Sequence, residues 1–256
     1  MLTPDLDLAR RFIAKNHPTG EILLCAVTGA HHYGFPSADS DIDLKGIHLA
    51  PTTELLGLDA PAQTFDRLEM FENEECDLTL HEADKALRLL LSGNGNMLER
   101  ILSPLQLYQT DALAALQPLA KAAISQRFGR HYRGFFNGMC REHQNATHPG
   151  VKTLLYSYRV ALSGIHLLRS GELQADLKQL APEYGFASVL ELVHYKREHA
   201  EKAALPAELD QAHRAGWPRL TEMLDNAIAN SSLPAEAGNR SELSAWLVAR
   251  RVQMLG

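Results

Sequence analysis

The sequence predicts an α+β protein in which a strand-and-helix region, residues 1–110, precedes an all-helical region, residues 111–256. Two observations predict it. Up to about residue 91, short apolar runs of strand length alternate with segments of helical period. After about residue 110, apolar residues recur at helical spacing, with few β-branched runs. The charges follow the same division. Residues 1–110 carry 8 Lys/Arg and 17 Asp/Glu, residues 111–256 carry 17 and 14, and the net charge is -6. An acidic half that could hold cations is therefore joined to a mildly basic half that could hold an anion.

Taken in order, Thr3 to Lys15 reads as a short helix, with a Thr-Pro start and apolar Leu6, Leu8, Phe12 and Ile13. Glu21 to Thr28 is a compact apolar run ending at Gly29, and Asp41 to Leu49 alternates weakly, as strands do. Thr64 to Phe71 and Cys76 to His81 are two further strand candidates. Ala83 to Leu91 places Leu87, Leu90 and Leu91 on one helical face and is followed by Gly93, a helix stop. The helical half reads as Asp111 to Gln126, Val151 to Leu168, Ala187 to Ala203, Ala207 to Ala229 and Ser241 to Met254. The breaks "THPG" and "SSLPAEAGN" interrupt it. There is no internal repeat and no low-complexity segment.

At 256 residues and 45% hydrophobic composition the chain can bury a sizeable core. Cys25, Cys76 and Cys140 are an odd number without Cys-x-x-Cys spacing, and two lie in apolar runs, which suits a reducing compartment. The N-terminal residues lack an uninterrupted apolar stretch, and "ILLCAV" is far too short to span a bilayer. The expectation is a cytoplasmic protein with no membrane partner. There is no Walker A motif, no Gly-x-Gly-x-x-Gly, no Gly-x-Ser-x-Gly and no Cys/His zinc spacing. P-loop, Rossmann, nucleophile-elbow and structural-zinc classes therefore lack their signatures.

The chemistry concentrates in "VTGAHHYGFPSADSDIDLKGIHL", Val27 to Leu49. On a strand, Asp41 and Asp43 project to one side while Ile42 faces the core. Like charges aimed at one point are costly unless a cation neutralises them, and hard oxygens in this arrangement suit Mg²⁺ with substrate phosphates. Asp77, on another strand, would complete a clamp for two ions. Gly29 allows a phosphate to approach the backbone closely, and the N–H groups of a helix start bind its charge.

These residues resemble the signature of the DNA polymerase β-like nucleotidyltransferase superfamily, Gly-[Gly/Ser], about ten residues, then Asp-x-Asp/Glu. More narrowly they are similar to the RlaP-type nucleotidyltransferases associated with RNA repair, through Gly29, Tyr33, Gly34, Ser40, Asp41, Asp43 and Gly46. The likeness continues in "CDLTLHEADKALRLLLSGNGNMLE", through Asp77, Lys85, Asn94 and Asn96, and in "KTLLYSYRVALSGIHLLRSGEL". It spans about residues 21 to 178. Three positions depart from the pattern: Ala30 replaces a Ser whose hydroxyl contacts triphosphate, Lys45 stands where Arg is common, and Gly95 replaces Pro.

The resemblance implies a nucleotidyltransferase domain with a mixed β-sheet flanked by helices over 1–110, followed by a helical domain over 111–256. It implies transfer of a nucleoside monophosphate from an NTP to an acceptor hydroxyl, first of all an RNA end, with two Mg²⁺ ions or Mn²⁺. Asp41, Asp43 and Asp77 would be the catalytic and metal-holding residues. Gly29, Ala30, His32, Lys152 and Arg159 would bind the nucleotide. Protein adenylylation and a nucleotide-binding pseudoenzyme are the alternatives, the second motivated by Ala30. The oligomeric state is not legible. Lys152, Arg159 and His166 recur every seven residues, and on one helix they would form a cationic wall. His31 and His32 fall in the phosphate-loop position. "RFGRHYRGFF" interleaves arginines with aromatics, a composition that could grip and stack single-stranded nucleic acid and that a helix-end core cluster with exposed arginines explains as well.

Overall fold

A computed structural model describes residues 3–38, 40–199 and 205–255. Helix α1 spans Leu6–Lys15 and starts where Asp5 accepts the Asp7 and Leu8 N–H groups. The strands are β1 (Glu21–Val27), β2 (Ile42–Leu49), β3 (Thr64–Phe71) and β4 (Glu74–Glu82). They form one sheet in the order β1-β2-β4-β3. β1 and β3 are antiparallel to their neighbours, whereas β2 and β4 are parallel, so the sheet is mixed as expected. A tight turn at Glu72 and Asn73, both with positive φ, joins β3 to β4.

Alternation decides what each face does. Ile42 and Leu44 of β2, with Cys76, Leu78 and Leu80 of β4, join Phe12 and Ile13 of α1 in a buried core. Each such side chain contributes about 1.5–3 kcal/mol of burial. The intervening Asp43, Lys45, Asp77 and Thr79 consequently share the opposite face. Cys25 and Cys76 are free thiols in that core, pushed up to about 12 and about 11 by burial.

Further elements are α2 (Gly29–His32), α3 (Thr52–Leu55), α4 (Ala83–Leu91), α5 (Gly95–Leu102), α6 (Asp111–Ala122), α7 (Phe128–Asn145), α8 (Val151–Ser170) and α9 (Leu177–Glu183). After a 3₁₀ turn at Ala187–Val189 come α10 (Leu190–Glu198), α11 (Ala207–Arg214), α12 (Trp217–Ala229) and α13 (Arg240–Gln253). The chain forms two compact units. One comprises Thr3–Gly29, Asp41–Ile124 and Glu236–Gly256; the other comprises Ala30–Ser40 and Ser125–Ala235.

Neither unit is one continuous stretch of the chain. The sheet unit keeps α6 and recovers α13, because Arg251 Nη2 on α13 reaches Glu82 Oε1 at 2.6 Å and Thr52 donates to the Arg251 carbonyl at 2.7 Å. Glu82 is fully buried and also accepts the Asp84 N–H at the start of α4, so Arg251 neutralises a carboxylate that could not stand alone. The helical unit takes in 30–40 from the first half. Its centre is α8, buried nearly all round and flanked by α7, α9, α10 and α12.

Several element readings change. The run expected as one helix over 207–229 is broken between α11 and α12, where Tyr158 donates to the His213 carbonyl at 2.6 Å and Pro218 starts the next helix. The first helix of the second half stops at Ala122 rather than Gln126. The reading over 187–203 resolves into a 3₁₀ turn and α10, and its residues 200–203 lie outside the described residues. Asn94 caps α5, with Gly95 at the first helical position, the place where Pro is also accommodated. Among the described residues no helix is long and apolar enough to cross a membrane.

Candidate active site

In the sheet unit β1 ends at Val27 and the backbone turns at once. The Thr28 N–H donates to the Asp43 carbonyl at 2.8 Å, tying the end of β1 to the start of β2. Gly29 follows with φ +59, and a Cβ there would lie 1.8 Å from Asp43 Oδ2. The Asp43 carboxylate therefore rests on the bare Cα of Gly29, an approach no other residue permits. Asp41 and Asp43 are both half-buried and flank the buried Ile42, as the strand spacing predicts, although β2 proper begins at Ile42.

Asp43 and Asp77 are direct partners in the parallel β2/β4 ladder. Their side chains share a face with Lys45 and Thr79. Lys45 Nζ contacts Asp77 Oδ2 at 2.6 Å and Thr79 Oγ1 at 3.3 Å. The side chains of this ion pair are 19% and 40% exposed. Such a pair contributes about 1 kcal/mol or less to stability. Among the described residues no three His, Cys, Asp or Glu side chains come close enough to hold a metal ion. Lys45 supplies a positive charge to Asp77. Asp41 and Asp43 remain a pair of hard oxygen donors, and two carboxylates with substrate phosphates are a sufficient set for Mg²⁺.

His81 lies two residues beyond Thr79, on the same alternation. Its Nδ1 is 3.3 Å from Thr64 Oγ1. Burial first, and then the charges of Arg100 and Lys85, push its imidazole down to about 4. Spacing by two from Asp77 would have found it.

The helical unit holds the other expected residues, beginning with the turn at 30–40. Ala30 and His32 are buried in and after the first turn of α2, where the Ala30 carbonyl accepts the Phe35 N–H. Gly34, at φ +87, lets Asp176 approach so closely that a Cβ would fall 1.9 Å from Oδ1. The Leu177 N–H donates to the Tyr33 carbonyl at 3.0 Å. The Arg159 guanidinium lies 3.8 Å from the Tyr33 ring centre, with Tyr156 and Phe135 at 5.6 Å.

The stripe on α8 is accordingly not one wall. Lys152 is exposed, Arg159 is 1% exposed under aromatic rings, and His166 contacts Tyr184 and Glu183. A seven-residue repeat keeps side chains on one helical face but does not say whether that face is wet. Lys196 was not anticipated. It is 2% exposed and donates to Ser37 Oγ at 2.7 Å and Ser40 Oγ at 3.2 Å. Burial and then the Lys196 charge lower the His31 imidazole below its ordinary value. No spacing rule links residue 196 to residue 37.

Residues 6–249 match the family described as RlaP, the RNA repair pathway DNA polymerase beta family. The chain belongs to this family. An uncharacterized protein of Methanocaldococcus jannaschii, MJ0002, is 25% identical to this RlaP-family chain over 232 residues, covering 87% of the chain and 91% of the relative. A solved structure of a nucleotidyltransferase-like protein from Exiguobacterium sibiricum is 12% identical, with a TM-score of 0.35, over 98% of this chain and 78% of that one.

Proposed function

We propose that this RlaP-family protein transfers a nucleoside monophosphate from an NTP to an acceptor hydroxyl, and that the acceptor is an RNA end. The observation that carries the reading is the pairing of Asp43 with Asp77 across parallel strands, with the Asp43 carboxylate against Gly29. Asp41 and Asp43 would hold Mg²⁺ or Mn²⁺, which when bound neutralises the triphosphate and stabilises departing pyrophosphate.

The other roles fall to the chain itself. Thr28 fixes the Asp43 backbone, so that carboxylate keeps its direction without a large conformational cost. Gly29 and Ala30 offer backbone N–H groups to phosphate oxygens, the hydroxyl of the usual Ser being absent at Ala30. Asp77 receives the proton of the attacking hydroxyl on Oδ1, because Lys45 occupies Oδ2. Lys152, exposed on α8, would add positive charge toward a phosphate, whereas Arg159 holds Tyr33 and with it the turn after Gly29. The family's place in RNA repair supports the RNA end as acceptor.

The test uses α-labelled NTPs with added RNA, with and without Mg²⁺. Label should appear on RNA with the native chain and vanish with Asp43→Ala and Asp77→Asn. Label on protein alone would replace the acceptor, and undiminished transfer in both variants would overturn the assignment.

A further inference from the structure

The helical unit contains a cavity of about 580 Å³ between α7 and the α11–α12 corner, built by none of the residues assigned to nucleotidyl transfer. Its walls carry the carboxamides of Asn137, Gln144 and Gln211 and the guanidinium of Arg214, and its apolar floor includes Phe136 and Trp217. Among the described residues no carboxylate lines it. Asp210, on α11 beside Gln211, is turned to other groups: its Oδ1 is 2.7 Å from His143 Nε2 and its Oδ2 is 2.9 Å from Arg214 Nε. The chain of contacts continues inward, since His143 Nδ1 is 2.6 Å from Thr153 Oγ1.

This arrangement is a built one. A histidine and a carboxylate, both below a tenth exposed, set a negative charge beside one arginine. Arg214, whose side chain is 40% exposed, lines the cavity. Trp217 is fixed in turn by its Nε1, which donates to the buried Ser157 hydroxyl at 2.8 Å. A guanidinium on a cavity wall presents paired planar donors, the geometry that suits a phosphate or a carboxylate. Carboxamides provide paired donors and acceptors, which match the hydrogen-bonding edges of planar bases, and the aromatic floor favours flat apolar surface.

We propose that this cavity binds one nucleotide unit, with its phosphate on Arg214 and its base against Phe136 and Trp217 among the three carboxamides. The site is distinct from the carboxylates of the sheet unit, and it stands whether or not those residues catalyse transfer. A free mononucleotide and a unit of single-stranded RNA present the same chemistry, and the test separates them.

The experiment follows Trp217 fluorescence in full-length Trp246→Phe protein, which leaves Trp217 as the single tryptophan. The four nucleoside 5′-monophosphates, a single-stranded RNA hexamer and inorganic phosphate are titrated in turn. Nucleotide or hexamer should quench the signal, with the hexamer tighter if RNA is the natural occupant. Arg214→Gln should weaken binding by about tenfold or more, as loss of a charge-assisted contact does. Gln144→Glu, at an exposed position that tolerates the change, should weaken it also by repelling phosphate. Asp43→Ala should leave it unchanged. No response to any nucleotide, equal affinity for inorganic phosphate, or undiminished binding in both cavity variants would overturn the inference.

Discussion

The sheet unit and the helical unit hold their polar residues by different means. In the sheet unit Asp43, Lys45, Asp77 and Thr79 are placed by strand register alone: each sits one step from a core residue, and the ladder brings partners 34 residues apart into line. In the helical unit the turn at 30–40 is held by Arg159 on Tyr33, by Lys196 on two serine hydroxyls and by Asp176 on Gly34. Those anchors come from three helices and from up to 159 residues away. The comparison teaches that chemistry here rests on short-range periodicity, and loop conformation on long-range packing.

The comparison breaks first at Asp43. Asp43→Ala removes a half-buried carboxylate near the start of β2 while leaving the backbone ladder to β4 in place. Thermal stability should therefore change little while label transfer falls by more than about 100-fold, beyond the range usual for outer contacts of a metal site. A parallel loss of folding, read by circular dichroism, would show that the residue is structural.

Gly29→Ala should follow. The added methyl meets Asp43 Oδ2 and the left-handed backbone disfavours it by about 1–2 kcal/mol. Transfer should fall with the fold intact, and native activity in that variant would show that the Asp43 carboxylate has no fixed position.

On the helical side, Arg159→Met should cost about 2 kcal/mol, the value of a desolvated cation over aromatic faces. Hydrogen exchange should then quicken at 30–40 while β2 and β4 amides stay protected. Loss of protection in both units together would contradict their separate anchoring.

A smaller effect separates the units by pH. The His81 pKa in the folded chain, about 4, lies below its ordinary 6.5, so the unfolded chain binds more protons between those values. The stabilisation is complete above pH 6.5 and is lost as the pH falls toward 4. His81→Gln should flatten that part of the stability curve, and an unaltered curve would assign acid lability elsewhere. Lys45→Met should change the melting temperature least, by no more than about 2–4 °C, since its ion pair is partly exposed to solvent.

Much of the sheet unit was legible because its signals are local. Gly29 at the end of an apolar run, Asp41-Ile42-Asp43 opening the next one and Asp77 in a third strand follow from alternation and spacing. The Lys45–Asp77 pair was not read, because it depends on which strands are neighbours. In the helical unit α7 is hard to read from the sequence, its pattern diluted by Gly129, Gly134 and Gly138 and by its charged residues. The burial of Arg159, the reach of Lys196 and the return of α13 to Glu82 all depend on contacts between distant segments, which no window of sequence contains.

The most direct test of the central claim is calorimetric titration of the purified chain with each NTP, with and without Mg²⁺. The account predicts Mg²⁺-dependent binding of at least one NTP, lost in Asp41→Ala/Asp43→Ala protein that still folds. Binding that is independent of Mg²⁺ and undiminished in that variant would contradict it.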